Sequence, residues 1–238
     1  MNRPGPGRKR RSYGRAAVRM IALMILIATA AGAAAQTVDT PEERFWSWFR
    51  RNAGRLYRYG SETPEVLQEL QTEITKVHPL LQGILDGFNE DRKRVFIISA
   101  GGNPAGFQAA RTLYRAALPM EFWKIVLFVP GRIRLGVCEY DGITVDSRDV
   151  RFLLFPDEVD GRVRVMFLFP GYRPDREAAY REIARKLLFD ALGEYESAVK
   201  IGGVFLDSAD SVYRNEAWPY QALPTRFNLW WYSIRSPG

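Results

Sequence analysis

Glu194 and Glu196, in Leu-Gly-Glu-Tyr-Glu, form the best-spaced acid pair in this chain. Two carboxylates do acid–base work on a glycosidic bond only if they converge on one cleft, roughly 5–10 Å apart. Other acids gather at Asp141, Asp146 and Asp149, and again at Asp157, Glu158 and Asp160. Both groups fall in segments that read as turns, where Asp bonds its own backbone. Asp157-Glu158-Val159-Asp160-Gly161 lacks the spacing of an EF-hand loop, so both read as solvated turns. Gly101-Gly102-Asn103-Pro104-Ala105-Gly106 sits after a strand and before a helix, where free amides attract anions. Phe107-Gln108 follow where a P-loop carries Lys and Ser/Thr, so the segment reads as a turn with an Asn cap and a first-turn Pro.

His78 is the only histidine and Cys138 the only cysteine. A nucleophilic triad would have to use His78, which lies before Pro79 at a helix end and reads as an exposed or capping residue. One His and one Cys argue against structural zinc, and no metal or cofactor is expected. No G-x-S-x-G or H-E-x-x-H occurs, and no catalytic residue is assigned. Cys138, in Leu-Gly-Val-Cys-Glu-Tyr, reads as a buried strand thiol. The aromatic residues give the remaining signal. Trp46 and Tyr57 lie off the apolar stripe of the first helix, and Trp230, Trp231 and Tyr232 crowd the C-terminus. Exposed aromatics mark partner surfaces, so these five are the candidate partner-binding residues. The bland alternative is that the two terminal segments pack together and close the core.

Charge separates the chain into two parts. Seven of its 34 basic residues lie in the first 35 positions, which hold no acid, so the rest is neutral with 27 of each sign. The pI of 9.6 therefore belongs to the N-terminal segment, and nucleic acid is not an expected partner. Basic residues to Arg19, an apolar run from Met20 to Ile27 and small residues from Ala28 to Ala35 give the order of a secretory signal. Ala33-Ala34-Ala35 predicts residues 1–35 as a signal peptide cleaved before Gln36, leaving 36–238 as one domain. Arg10-Arg11 admits a twin-arginine route as well as the general one. The alternative is an uncleaved leader anchoring the protein in the inner membrane, which would be its only membrane contact. With a single cysteine, no intrachain disulfide can form.

Helices are expected from Thr40 to Tyr59, Thr63 to Val77, Asn103 to Leu118 and Pro174 to Leu192, the last ending at Gly193. Strands are expected at Gly83–Phe88 and Arg94–Ser99 as a hairpin, at Trp123–Val129, near Leu135–Tyr140 and Arg151–Phe155 around an Asp141-Gly142 turn, at Val163–Phe169, and at Lys200–Leu206 before an aromatic tail. Strand, helix, strand recurs over Arg94–Val129 and Val163–Leu206 as supersecondary similarity. These elements predict an α+β class: a mostly antiparallel sheet, helices on one face, and an N-terminal helical pair at an edge.

Phe45-Trp46-Ser47-Trp48-Phe49, Ile98-Ser99-Ala100-Gly101, Trp123-Lys124-Ile125, Phe169-Pro170-Gly171-Tyr172 and Leu192-Gly193-Glu194-Tyr195 occur in this order. The series resembles an uncharacterised bacterial family that opens on a Phe-Trp-x-Trp-Phe helix, over roughly Glu43 to Leu223. That resemblance implies one α+β domain in a bacterium and carries no activity or site residue. The long basic leader and the aromatic C-terminus depart from the family's pattern. The expected function is an exported, periplasmic or secreted, non-catalytic protein binding a protein or envelope component. The alternative is a carboxylate-dependent hydrolase of envelope glycans using Glu194 and Glu196.

Overall fold

The computed structural model describes Met1 and residues 39–59 and 64–233, so the predicted leader and its cleavage site lie outside the described residues. Thr40 begins α1 (Pro41–Tyr57) with a capping box: its hydroxyl accepts the Glu43 N–H while the Glu43 carboxylate accepts the Thr40 N–H. The acids Glu42 and Glu43 in the first turn suit the positive end of the helix dipole. α1 and α2 (Pro64–Thr75) pack over a three-stranded sheet. In that sheet β1 (Gln82–Phe88) is antiparallel to β2 (Arg94–Ser99), and β3 (Trp123–Leu127) is parallel to β2 after the crossover helix α3 (Phe107–Arg115).

A two-stranded hairpin follows, β4 (Val137–Tyr140) with β5 (Ile143–Asp146). Asp141 and Gly142 both take positive φ at its turn, which the Asp-Gly pair favours. The second main sheet has the order β8-β7-β6-β9. β6 (Arg151–Pro156) is antiparallel to β7 (Val163–Phe169), and β8 (Ile201–Ser208) is parallel to β7 after the crossover helix α4 (Glu177–Val199). β9 (Trp218–Pro219) adds a short antiparallel edge to β6, and α5 (Leu223–Ser233) closes the described chain.

The α+β class and the mostly antiparallel pairing hold, distributed over three sheets rather than one. The recurrent order seen in the sequence extends to a hairpin, a crossover helix and a parallel strand in both halves. Gly101 and Gly171 take the same left-handed φ after their strands, and Pro104 and Pro174 each start a single 3-10 turn leading into the helix.

Each half has its own core. Phe45, Trp46 and Phe49 of α1 meet Phe96 of β2 and Trp123 of β3, with Phe49 and Phe96 rings 4.8 Å apart. In the other half Phe152, Val165 and Phe167 face Ile183, Ala184 and Leu187 of α4, and Tyr220, Leu223 and Phe227 close the end. The Tyr220 hydroxyl donates to the Leu187 carbonyl at 2.9 Å, and burial pushes its pKa well up.

Three expectations need correction. The Asp141-Gly142 turn joins β4 to β5, a strand the sequence reading did not place, because Ile143-Thr144-Val145-Asp146 alternates over only four residues. The aromatic tail is a helix, with Leu223, Phe227 and Trp231 on its buried face. Gly193 breaks α4 (φ 81°, ψ 176°), yet helix resumes beyond it to Val199.

Candidate functional site

Glu194 stands at that break and is wholly buried. Its carboxylate lies between the ends of two strands of the other half. Oε1 accepts the N–H groups of Ala100 (2.7 Å) and Gly102 (3.1 Å), and Oε2 accepts that of Val129 (3.0 Å). The Glu194 N–H donates to the Val129 carbonyl (2.9 Å), and the Arg132 N–H donates to the Asp190 carbonyl (2.6 Å). The chain leaving β3 is thus laid strand-like against the broken helix, with Pro130 bridged to Gly193. Phe128 takes a positive φ of 63° to make this exit, held between the Phe107 and Tyr195 rings, with the Arg111 guanidinium over Phe128 and Tyr195.

The glycine loop therefore does bind an anion, and the anion is the chain's own Glu194. A buried carboxylate that accepts three backbone N–H groups is held in place by all of them. Glu196, its proposed partner, is ion-paired with Lys200. A cavity of about 670 Å³ opens beside Glu194 between the glycine loop, α4 and the start of β8. The charges on its wall are matched, Arg185 with Glu182 and Lys186 with Asp190.

Four of the six acids in the two clusters are also engaged. Asp141 pairs with Arg176, Asp157 with Arg164, and Asp160 with Arg162. Hydrogen bonding to the Arg148 side chain holds Asp146 down to about 2. His78 Nδ1 accepts the Leu80 N–H at 3.2 Å and so shapes the turn after α2. Cys138 is buried, and desolvation pushes its thiol up. Among the described residues no group of three or more His, Cys, Asp or Glu is placed to hold a metal ion, and no helix is long and apolar enough to cross a membrane.

The five candidate aromatics do not form one surface. Trp46 is buried, and its indole N–H donates to the Leu113 carbonyl at 2.8 Å, satisfying a last-turn acceptor of α3. Tyr57 is half-buried against Phe88, Phe122 and Trp123. Trp231 is buried, stacked on Phe227 with the Lys200 ammonium 4.7 Å from its ring centre. Trp46 and Trp231 are core residues, a correction to their assignment as partner contacts. Trp230 is half-buried and Tyr232 is 68 % exposed.

Trp230 does line a groove of about 610 Å³ between β6 and α5, with Leu154, Phe155, Trp218, Arg226 and Leu229. Trp218, Arg226 and Leu229 escaped the sequence reading because the tail was not read as a helix. Arg226, Leu229, Trp230 and Ser233 recur at i, i+3, i+4 and i+7, which is one helical face. Trp231→Ala should lower stability by about 3 kcal/mol or more, the usual cost of emptying a buried aromatic site, and Trp230→Ala by clearly less. Urea unfolding of both variants measures this, and equal losses would mean that Trp230 is core as well. No protein-family model, curated protein or solved structure matches the chain, so the resemblance in its motifs carries no family assignment.

Proposed function

We propose that this chain is an exported, non-catalytic binding protein of the bacterial envelope, and that the groove between β6 and α5 is where it meets a protein partner. The leader composition supports export. The observation that carries the binding reading is the contrast between two sites: the best acid pair is engaged within the fold, whereas the Trp218–Trp230 groove is open. Leu229 is 61 % exposed and Trp218 is 42 % exposed on its rim. Apolar side chains left in water around a concavity are the usual mark of an interaction site. The hydrolase reading would need Glu194 to reach a substrate, and its two oxygens already accept three internal N–H groups.

A photo-crosslinking residue placed at Leu229, in the full chain expressed in its own host, should give one discrete adduct. The same residue at Val137, which is 65 % exposed on the β4 hairpin, serves as the control. Adducts of equal yield and identity from both positions, or none from Leu229, would remove the groove as the binding surface.

A further inference from the structure

We infer that the groove takes an extended peptide segment of a partner protein, added as a strand to the open edge of β6, with apolar residues at alternate positions and an acidic residue set against Arg226. This rests on the binding reading above and names the form of the partner.

The backbone supplies the first argument. β9 pairs only with Arg151 and Phe152, so among the described residues β6 has no strand neighbour on that side from Leu153 to Pro156. The Tyr220 N–H donates to the Val150 carbonyl at 3.0 Å, which fixes the alternate residues whose backbone groups point toward β9. Alternation carries the pattern through Phe152 to Leu154, whose N–H and C=O face the open side. Pro156 is next on that side and has no N–H to offer, so it ends the edge as prolines do on edge strands. The open stretch spans roughly 13 Å, enough for about four residues of an added strand.

The walls supply the second. The groove runs along this same stretch, lined by Leu153, Leu154 and Phe155 on the strand side and by Trp218, Leu229 and Trp230 opposite. Main-chain bonds to an edge give affinity, and pockets for alternate side chains give selectivity.

Charge supplies the third. The Arg226 guanidinium lies 3.4 Å from the Trp218 ring centre, and no carboxylate pairs with it among the described residues. Stacking orders the cation at the groove wall and leaves its in-plane N–H donors for an acid, the geometry in which Arg binds carboxylate best. Glu216, the acid on the same wall, is exposed and forms no ion pair with Arg226, so a basic residue in the peptide suits its end of the groove.

The test uses the whole chain and a library of ten-residue peptides with Val, Ile, Leu or Phe at alternate positions and one Asp between them. Binding is read by fluorescence anisotropy up to about 1 mM, the weak end of specific recognition. The tightest peptide is then remade with backbone N-methyl groups at either set of alternate residues, and with Asp replaced by Asn. Methylation of one set should weaken binding about tenfold or more, while the other set changes it little, because only one set faces the edge. The Leu154 amide should exchange more slowly with deuterium when the peptide is bound. Arg226→Gln and the Asp→Asn peptide should each weaken binding severalfold, and combining them should add little. No binding by any peptide, an effect of methylation independent of register, or a dimer of this chain that already protects Leu154 would each overturn strand addition. If Leu229 still crosslinks to a partner in the host, the binding reading survives that result. If it does not, both fall.

Discussion

Glu194→Ala is expected to lower the free energy of unfolding by about 4 kcal/mol or more, because it strands three backbone donors at once, one buried and two half-buried. The Ala100, Gly102 and Val129 N–H groups belong to segments that end β2 and β3, and each donates to this one carboxylate. Bonds to a charged acceptor contribute about 1.5–3 kcal/mol each, and an unpaired buried donor costs about 1–3 kcal/mol. Local relaxation admits water to part of the site, so the loss falls below the sum of these contributions. Glu194→Gln separates charge from shape. With its oxygen at the Oε1 position it keeps the Ala100 and Gly102 bonds, and its NH2 then opposes the Val129 N–H. The expected loss is about half that of the Ala variant. Glu196→Gln is the control, a partly exposed ion pair with Lys200 worth about 1 kcal/mol or less. Urea unfolding, with the slope checked for unchanged two-state behaviour, measures all three. A Glu194→Ala variant within about 1 kcal/mol of the parent would undo the structural role and return this acid to the candidates for catalysis.

The same residue shows what the sequence could and could not tell. Glycines between a strand and a helix present free amides, so affinity for an anion at Gly101-Gly102 was legible. That the anion comes from Glu194 was not, because no local rule links positions more than ninety residues apart. The helix start at Thr40, the Asn103 cap and the β1–β2 hairpin followed from near-neighbour chemistry and stand as expected. Trp46 misled because a stripe argument assumes a helix buried on one side. α1 packs on the sheet and reaches α3 as well, so a residue off the stripe is also core. Trp230 and Trp231 are adjacent in sequence but point to different environments once the segment is a helix. One lines the groove and the other stacks on Phe227. The groove itself needed both the helix and knowledge of where β9 stops pairing, and that register is a tertiary fact.

Gly193→Ala is the second large effect, and its cause is backbone rather than charge. At φ 81° and ψ 176° Gly193 occupies a region that is essentially glycine's alone. A Cβ added there would meet Gly131 N at 2.5 Å, Val129 O at 2.7 Å and Pro130 C at 2.9 Å, all main-chain atoms with nowhere to rotate. The clash is mutual. A Cβ on Gly131 would meet Ala191 O at 2.5 Å and Leu192 C at 2.7 Å. Two backbones cross in contact, and the crossing sets the position from which Glu194 reaches β2 and β3. Gly193→Ala should therefore cost about 3 kcal/mol or more, combining backbone strain with the loss of close approach. Gly131→Ala has no positive φ to violate and should cost somewhat less. Once either change has pushed the segments apart, the second meets an open gap, so the double variant should be only slightly less stable than Gly193→Ala alone. Strict additivity of the two glycine changes would mean that they do not share this crossing, and the junction between the halves would then rest on the Glu194 carboxylate and the neighbouring backbone and ring contacts.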